Sequence, residues 1–164
     1  MKRLVGLMCV FILLISCAPQ IQSLAPTSLP STASEAQKTL IKFFDLLNTK
    51  QYTEADSFYG GSYEQLRIFH PDADVFDHAT LWSNACEVSG LQCLKVRTAT
   101  LENQQGDTYA FQVEFNNPDS SLFVLGPCCG ANETDMPPVS QFEYRVARND
   151  DGKFLVMEIP PYVP

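Results

Sequence analysis

The sequence predicts an α+β domain in which N-terminal helices pack on one face of an antiparallel sheet of about four to five strands. Three observations carry this expectation. Apolar residues between positions 34 and 86 recur largely at helical spacing. After Gly90 the period drops to two, the mark of strands with one buried face. Turn-forming clusters then break the chain at intervals that suit hairpins rather than long crossovers.

Ahead of that domain lies a segment of another kind. Lys2 and Arg3 precede a twelve-residue apolar run from Leu4 to Ile15, the layout of an export signal. Such a run is too short to cross the hydrocarbon core as a helix, which takes ~20 residues. Leu14-Ile15-Ser16-Cys17 resembles the lipobox of bacterial lipoproteins, where cleavage leaves the cysteine as an acylated first residue. The resemblance implies a signal over residues 1–16, lipidation at Cys17 and attachment to the membrane through acyl chains. Each buried methylene would contribute ~0.8 kcal/mol, so two or three chains hold a domain firmly on a bilayer. The alternative is a plain export signal cut at a small-x-small site, Ser16-Cys17-Ala18.

Cleavage before Cys17 leaves nine Lys and Arg against nineteen Asp and Glu, a charge of −10 over 148 residues. That balance disfavours nucleic acid, whose phosphates attract basic clusters, and a polybasic grip on anionic lipid. Residues 17–33 comprise Cys17 and the uncharged tract APQIQSLAPTSLPSTA, rich in Pro, Ser, Thr and Ala. With too little apolar surface to order itself, this tract reads as a flexible tether. Residues 34–164 remain, the size of one domain, with no internal repeat.

Within the domain, Thr32-x-x-Glu35 and Ser34-x-x-Gln37 are capping-box patterns ahead of Ala36, Leu40, Phe43, Phe44 and Leu47. The spacing predicts an amphipathic helix over 34–49. A short helix over 51–59 follows, stopped by Gly60-Gly61, and helices are expected over 62–70 and 77–86 with Trp82 as a core anchor. Strands are expected over 93–101, over 109–115 where Tyr109, Phe111, Val113 and Phe115 alternate with Ala110, Gln112 and Glu114, over 122–125, around 142–146 and over 153–159. Pro160 and Pro161, which cannot donate to a ladder, stop the last one.

The opening pattern TLIKFFDLLNTKQYTEADSFY resembles the start of nuclear-transport-factor-like (SnoaL-like, cystatin-like cone) domains. The family implies a curved, cone-like sheet wrapped around a helix, leaving a conical pocket. Some members are isomerases or cyclases and many only bind or dimerise, so the resemblance leaves the activity open. The chain also resembles uncharacterised bacterial lipoproteins through Gly-Pro-Cys-Cys-Gly and the closing Pro-Pro-Tyr-Val-Pro.

Four cysteines fall in the domain: Cys86, Cys93, Cys128 and Cys129. In an exported protein disulfides persist. In an up-and-down meander Cys93 and Cys128 fall at opposite ends of the sheet, so Cys93 pairs with Cys86 and contributes ~2.5 kcal/mol through chain entropy. Cys128 and Cys129 are left adjacent. A bond between them needs a strained turn, which Pro127 and Gly130 permit; free thiols or another pairing are the alternatives.

Two segments could carry chemistry. His70, Asp72, Asp74 and His78 fall within nine residues and offer imidazole and carboxylate groups for proton transfer or metal, though in a spacing that matches no established site. Residues 126–138 form a long connection without apolar period, suited to recognition or, through Cys128 and Cys129, to thiol or soft-metal chemistry. Nucleophile elbows, phosphate loops, dinucleotide fingerprints and zincin motifs are absent. The leading expectation is therefore a lipid-anchored, non-enzymatic envelope domain that binds a protein or small ligand and needs no cofactor. Small-molecule processing at the His/Asp segment ranks second and a thiol or metal module third.

Overall fold

Ser31–Asn48 forms the first helix, α1, and its burial pattern accounts for its length. Ala33, Ala36, Leu40, Phe43, Phe44, Leu46 and Leu47 are all buried, too wide a stripe for a helix packed on one side only. The computed structural model describes residues 30–164. The signal 1–16, Cys17 and the tether as far as residue 29 lie outside the described residues. Residues 31–33, expected in the tether, belong to α1. Pro30 stands at its N-cap with no side-chain cap bond, so neither capping-box pattern marks the boundary. Gln37 donates instead to the Ala99 carbonyl of the sheet, at 2.6 Å.

Three short helices follow: α2 (Tyr52–Asp56), α3 (Glu64–Phe69) and α4 (His78–Glu87). The sheet comprises β1 (Lys95–Gln105), β2 (Thr108–Asn116), β3 (Phe142–Arg148) and β4 (Phe154–Val156), antiparallel in the order β1-β2-β3-β4. Register shifts at Val96/Thr98 and Leu101/Asn103 are bulges in β1, and bulges bend a strand and increase its twist. The free edge of β4 is covered by the turn after α2, where Val156 N–H donates to the Phe58 carbonyl at 2.8 Å and Gly60 N–H to the Val156 carbonyl at 2.9 Å.

The two phenylalanines of α1 face opposite ways. Phe44 packs edge-on against Phe115 (4.8 Å) and Tyr144 (5.0 Å) of the sheet. Phe43 meets Trp82 of α4 (5.6 Å) and Tyr59 (5.9 Å). Each fully buried ring contributes roughly 2 kcal/mol through burial alone. Tyr109, Phe111, Val113 and Phe115 are buried as the alternation predicts. The layer between α1 and the sheet is thus filled by the protein's own aromatic rings.

The apolar run 122–125 does not join the sheet. It makes single bridges, Asn116 with Leu122 and Leu125 with Val139: β3 pairs with β2 only as far as Val113, so just the last residues of that edge are open, and Phe123 N–H donates there to the Phe115 carbonyl at 2.9 Å. Phe123 still stacks on Phe142, at 5.9 Å. The chain closes as a strap: Gln92 N–H donates to the Pro161 carbonyl (2.7 Å) and Val163 N–H to the Gly90 carbonyl (3.0 Å). Gly90 has φ +85°, and a Cβ there would strike the Val163 carbonyl oxygen, so both its conformation and the close approach require glycine. Among the described residues no helix is long and apolar enough to cross a membrane.

Candidate functional site

The four clustered His and Asp residues serve mainly to end and start helices. His70 follows α3, with its Nε2 2.5 Å from the Ser89 hydroxyl. Asp72 is exposed. The Asp74 carboxylate accepts from Phe76 N–H at 2.9 Å, a turn-forming contact. Asp77 caps α4, accepting from the Thr80 amide (3.1 Å) and hydroxyl (2.7 Å), and those two bonds hold its carboxyl below the ordinary value. Of His70, Asp72, Asp74 and His78, the first two line one recess of about 370 Å³, while Asp74 and His78 do not line it. Asp74 and Asp77 are engaged with backbone or hydroxyl groups near their own turns.

His78 turns elsewhere, to a partner that sequence reasoning missed. Its Nδ1 lies 3.3 Å from a carboxylate oxygen of Asp56, at the end of α2. The same carboxylate accepts from the Tyr63 hydroxyl and, at 3.4 Å, from the Trp82 indole N–H. Tyr63 and His78 stack face to face, ring centroids 3.7 Å apart. Burial, followed by the hydrogen bond and charge of Asp56, pushes the Tyr63 hydroxyl well above the ordinary phenol range, so Tyr63 remains a donor. One carboxylate thereby joins α2, the segment before α3, and α4. Neither Asp56, Tyr63 nor His78 lines the roughly 650 Å³ groove beside α3, which is formed by Tyr59, Ile68, Phe69 and Met157 among others. Nor do they line the 370 Å³ recess around His70. This arrangement ties the helices together, with the Tyr63 ring stacked on His78 and both Asp56 and His78 half-buried.

Cys86 and Cys93 are bridged, joining the end of α4 to the approach to β1 with Cα atoms 5.6 Å apart. Cys93 precedes β1 rather than beginning it. Cys128 and Cys129 are unbridged, with sulfurs 2.6 Å apart. Contact with Cys129, then burial, raises the Cys128 thiol above its ordinary value.

These two cysteines stand in the connection between β2 and β3, residues 117–141. Leu125 and Val139 exchange both backbone hydrogen bonds at 2.8 Å and so pinch 126–138 into a closed loop. Inside it, Asn132 accepts from the amides of Thr134 and Asp135 (2.9 and 3.1 Å), and Cys128 N–H points at the Met136 sulfur, 3.4 Å away. The loop carries apolar side chains outward: Val124 is 48% exposed, Met136 and Val139 42% each. A groove of about 640 Å³ runs between Phe123–Cys129 and the terminal Val163-Pro164. The position of this loop was legible from its length and prolines, but its pinned base was not.

Among the described residues no group of three or more His, Cys, Asp and Glu side chains is placed to hold a metal ion. No protein-family model and no curated protein matches this chain. What fold and site define together is an α+β domain with a filled interior, a clamped helical side and an ordered, partly apolar loop at the edge of the sheet.

Proposed function

We propose that this chain is a lipid-anchored protein of the bacterial envelope whose domain acts by binding a protein partner through the face formed by residues 122–139. The β2–β3 connection carries the reading. It is pinned at its base and ordered by its own hydrogen bonds, yet it leaves Val124, Met136 and Val139 in water. Apolar side chains held outward by an ordered backbone lose little conformational entropy on contact, which favours association. Exposed Asp119, Glu133 and Asp135 border them, so the complementary surface is apolar with a basic rim. Binding is favoured over catalysis because Asp74 and Asp77 are engaged in turns and caps and His78 in the Asp56 clamp, which leaves His70 and Asp72 in a small recess with no third His, Cys, Asp or Glu among its lining. The lipobox resemblance at Cys17 supports the anchor, and the −10 charge of the processed chain supports a soluble body beside the membrane.

Photo-crosslinkers placed at Val124 and Met136 in cells should give one discrete adduct, absent from the same probe at exposed Val88 in α4's trailing turn. Val124→Asp should abolish it, and Cys17→Ala should shift the protein from the membrane to the soluble fraction. Equal, diffuse labelling from all three probe positions would refute the binding face. An unshifted Cys17→Ala variant would refute the anchor.

A further inference from the structure

We propose that Cys128 and Cys129 form a redox-active vicinal pair, which closes to a disulfide and exchanges with the dithiols and disulfides of the envelope. The proposal rests on the envelope reading for its compartment and on the geometry of the loop for its chemistry. Adjacent side chains in extended backbone point to opposite faces and cannot meet. Here Cys129 has φ +60°, followed by Gly130 at +87°, and Ala131 N–H donates to the Cys128 carbonyl at 2.9 Å. This tight turn swings both side chains to one side and brings the sulfurs to 2.6 Å. A left-handed conformation at a residue other than glycine persists only where its surroundings impose it. They do so without a bond between the sulfurs: the Leu125–Val139 pinch closes the loop, and the Met136 sulfur receives the Cys128 amide.

The oxidant is a small-molecule or protein disulfide. A thiolate of the exposed Cys129 attacks one sulfur of the partner disulfide, whose S–S bond breaks and releases one thiol. Cys128 then attacks the Cys129 sulfur in the mixed disulfide and expels the second thiol. Two cysteine thiols are oxidised, the partner disulfide is reduced to two thiols, and both protons leave with them. Closed, the pair forms a strained ring. Cα atoms joined by a trans peptide are about 3.8 Å apart, short of the roughly 4.4–6.8 Å of ordinary bridges, whereas Cys86 and Cys93 at 5.6 Å lie within that span. A strained, exposed bridge reopens first, which suits exchange rather than stapling. Both cysteines line the groove beside Val163 and Pro164, so a partner seated there reaches the pair directly.

The test is a glutathione redox series on the purified full chain, quenched by acid, alkylated and mapped by mass spectrometry. The expected result is an internal Cys128–Cys129 link, seen as a peptide lighter by two hydrogens, that opens at reductant levels about tenfold or more below those that open Cys86–Cys93. Cys129→Ser should leave Cys128 as a mixed disulfide with glutathione. Two persistent thiols, or two glutathione adducts, even at the most oxidising end of the series would overturn the assignment. Alkylation in intact cells separates it from the envelope reading. If both pairs are reduced in cells yet close in the series, the compartment falls and the vicinal pair stands. If Cys86–Cys93 is bridged in cells while Cys128 and Cys129 never close, the pair falls and the compartment stands.

Discussion

The interior between α1 and the sheet and the 117–141 connection are both well ordered, but by different forces. In the interior, order comes from removing rings from water: Phe43, Phe44, Phe111 and Phe115 have no exposed surface. In the connection Phe123 anchors one end in the core, but beyond it order comes from backbone pairing at Leu125 and Val139 and from local side-chain bonds, with Val124, Met136 and Val139 left outside. Stability is concentrated in the first region. The loop 126–138 contributes no residue to the core, so it is the part of the connection expected to change sequence or partner without unfolding the rest.

Truncation in the interior should have the largest effect. Phe44→Ala removes the ring that touches both Phe115 and Tyr144 and should destabilise the fold by about 4 kcal/mol in urea titration. A loss below about 1 kcal/mol would show that the helix–sheet layer is not where stability resides. The Asp56 clamp comes next. Asp56→Ala leaves the Tyr63 hydroxyl and the Trp82 indole N–H without their acceptor and should cost about 2 kcal/mol. It should do so without changing the reactivity of Cys128 and Cys129, measured by thiol labelling.

Replacing 129–136 with a short Gly-Ser linker should shift the urea midpoint only slightly, by less than about 1 kcal/mol, while abolishing the crosslink from Val124. A collapse of the fold would break the contrast between the regions. The smallest effect belongs to Asp77. Its carboxyl is held below the ordinary 3.8 by Thr80, so its contribution is present above about pH 4 and lost as pH falls through the depressed folded value. Asp77→Asn keeps a capping oxygen but does not titrate. The stability gap between the two proteins should therefore narrow as pH drops from about 5 to 3, read as thermal midpoints.

How much of this was legible varies element by element. The β2 alternation was readable because strand burial repeats every two residues, and the Cys86–Cys93 bridge because it closes a short segment. Leu122 to Leu125 looked like a strand, yet an apolar run becomes one only along a free length of edge, and β2 offers it only the last residues beyond Val113. The Asp56–His78 contact joins residues 22 apart through the packing of α2 against α4, and nothing in either local sequence marks it. Two neighbouring histidines in the chain were the more visible signal, and the fold sent them to different partners.

By itself the amino-acid order determined the α+β class, the sheet's buried face and the cysteine pairing across 86–93, since each depends on periodicity or short loop closure. Only the tertiary structure decided that the interior is filled, that Asp74 and Asp77 form turns and caps while His78 meets Asp56, and that 126–138 stands out as a pinned loop. Those outcomes depend on which surfaces compete for the same space, and local sequence carries no record of that competition.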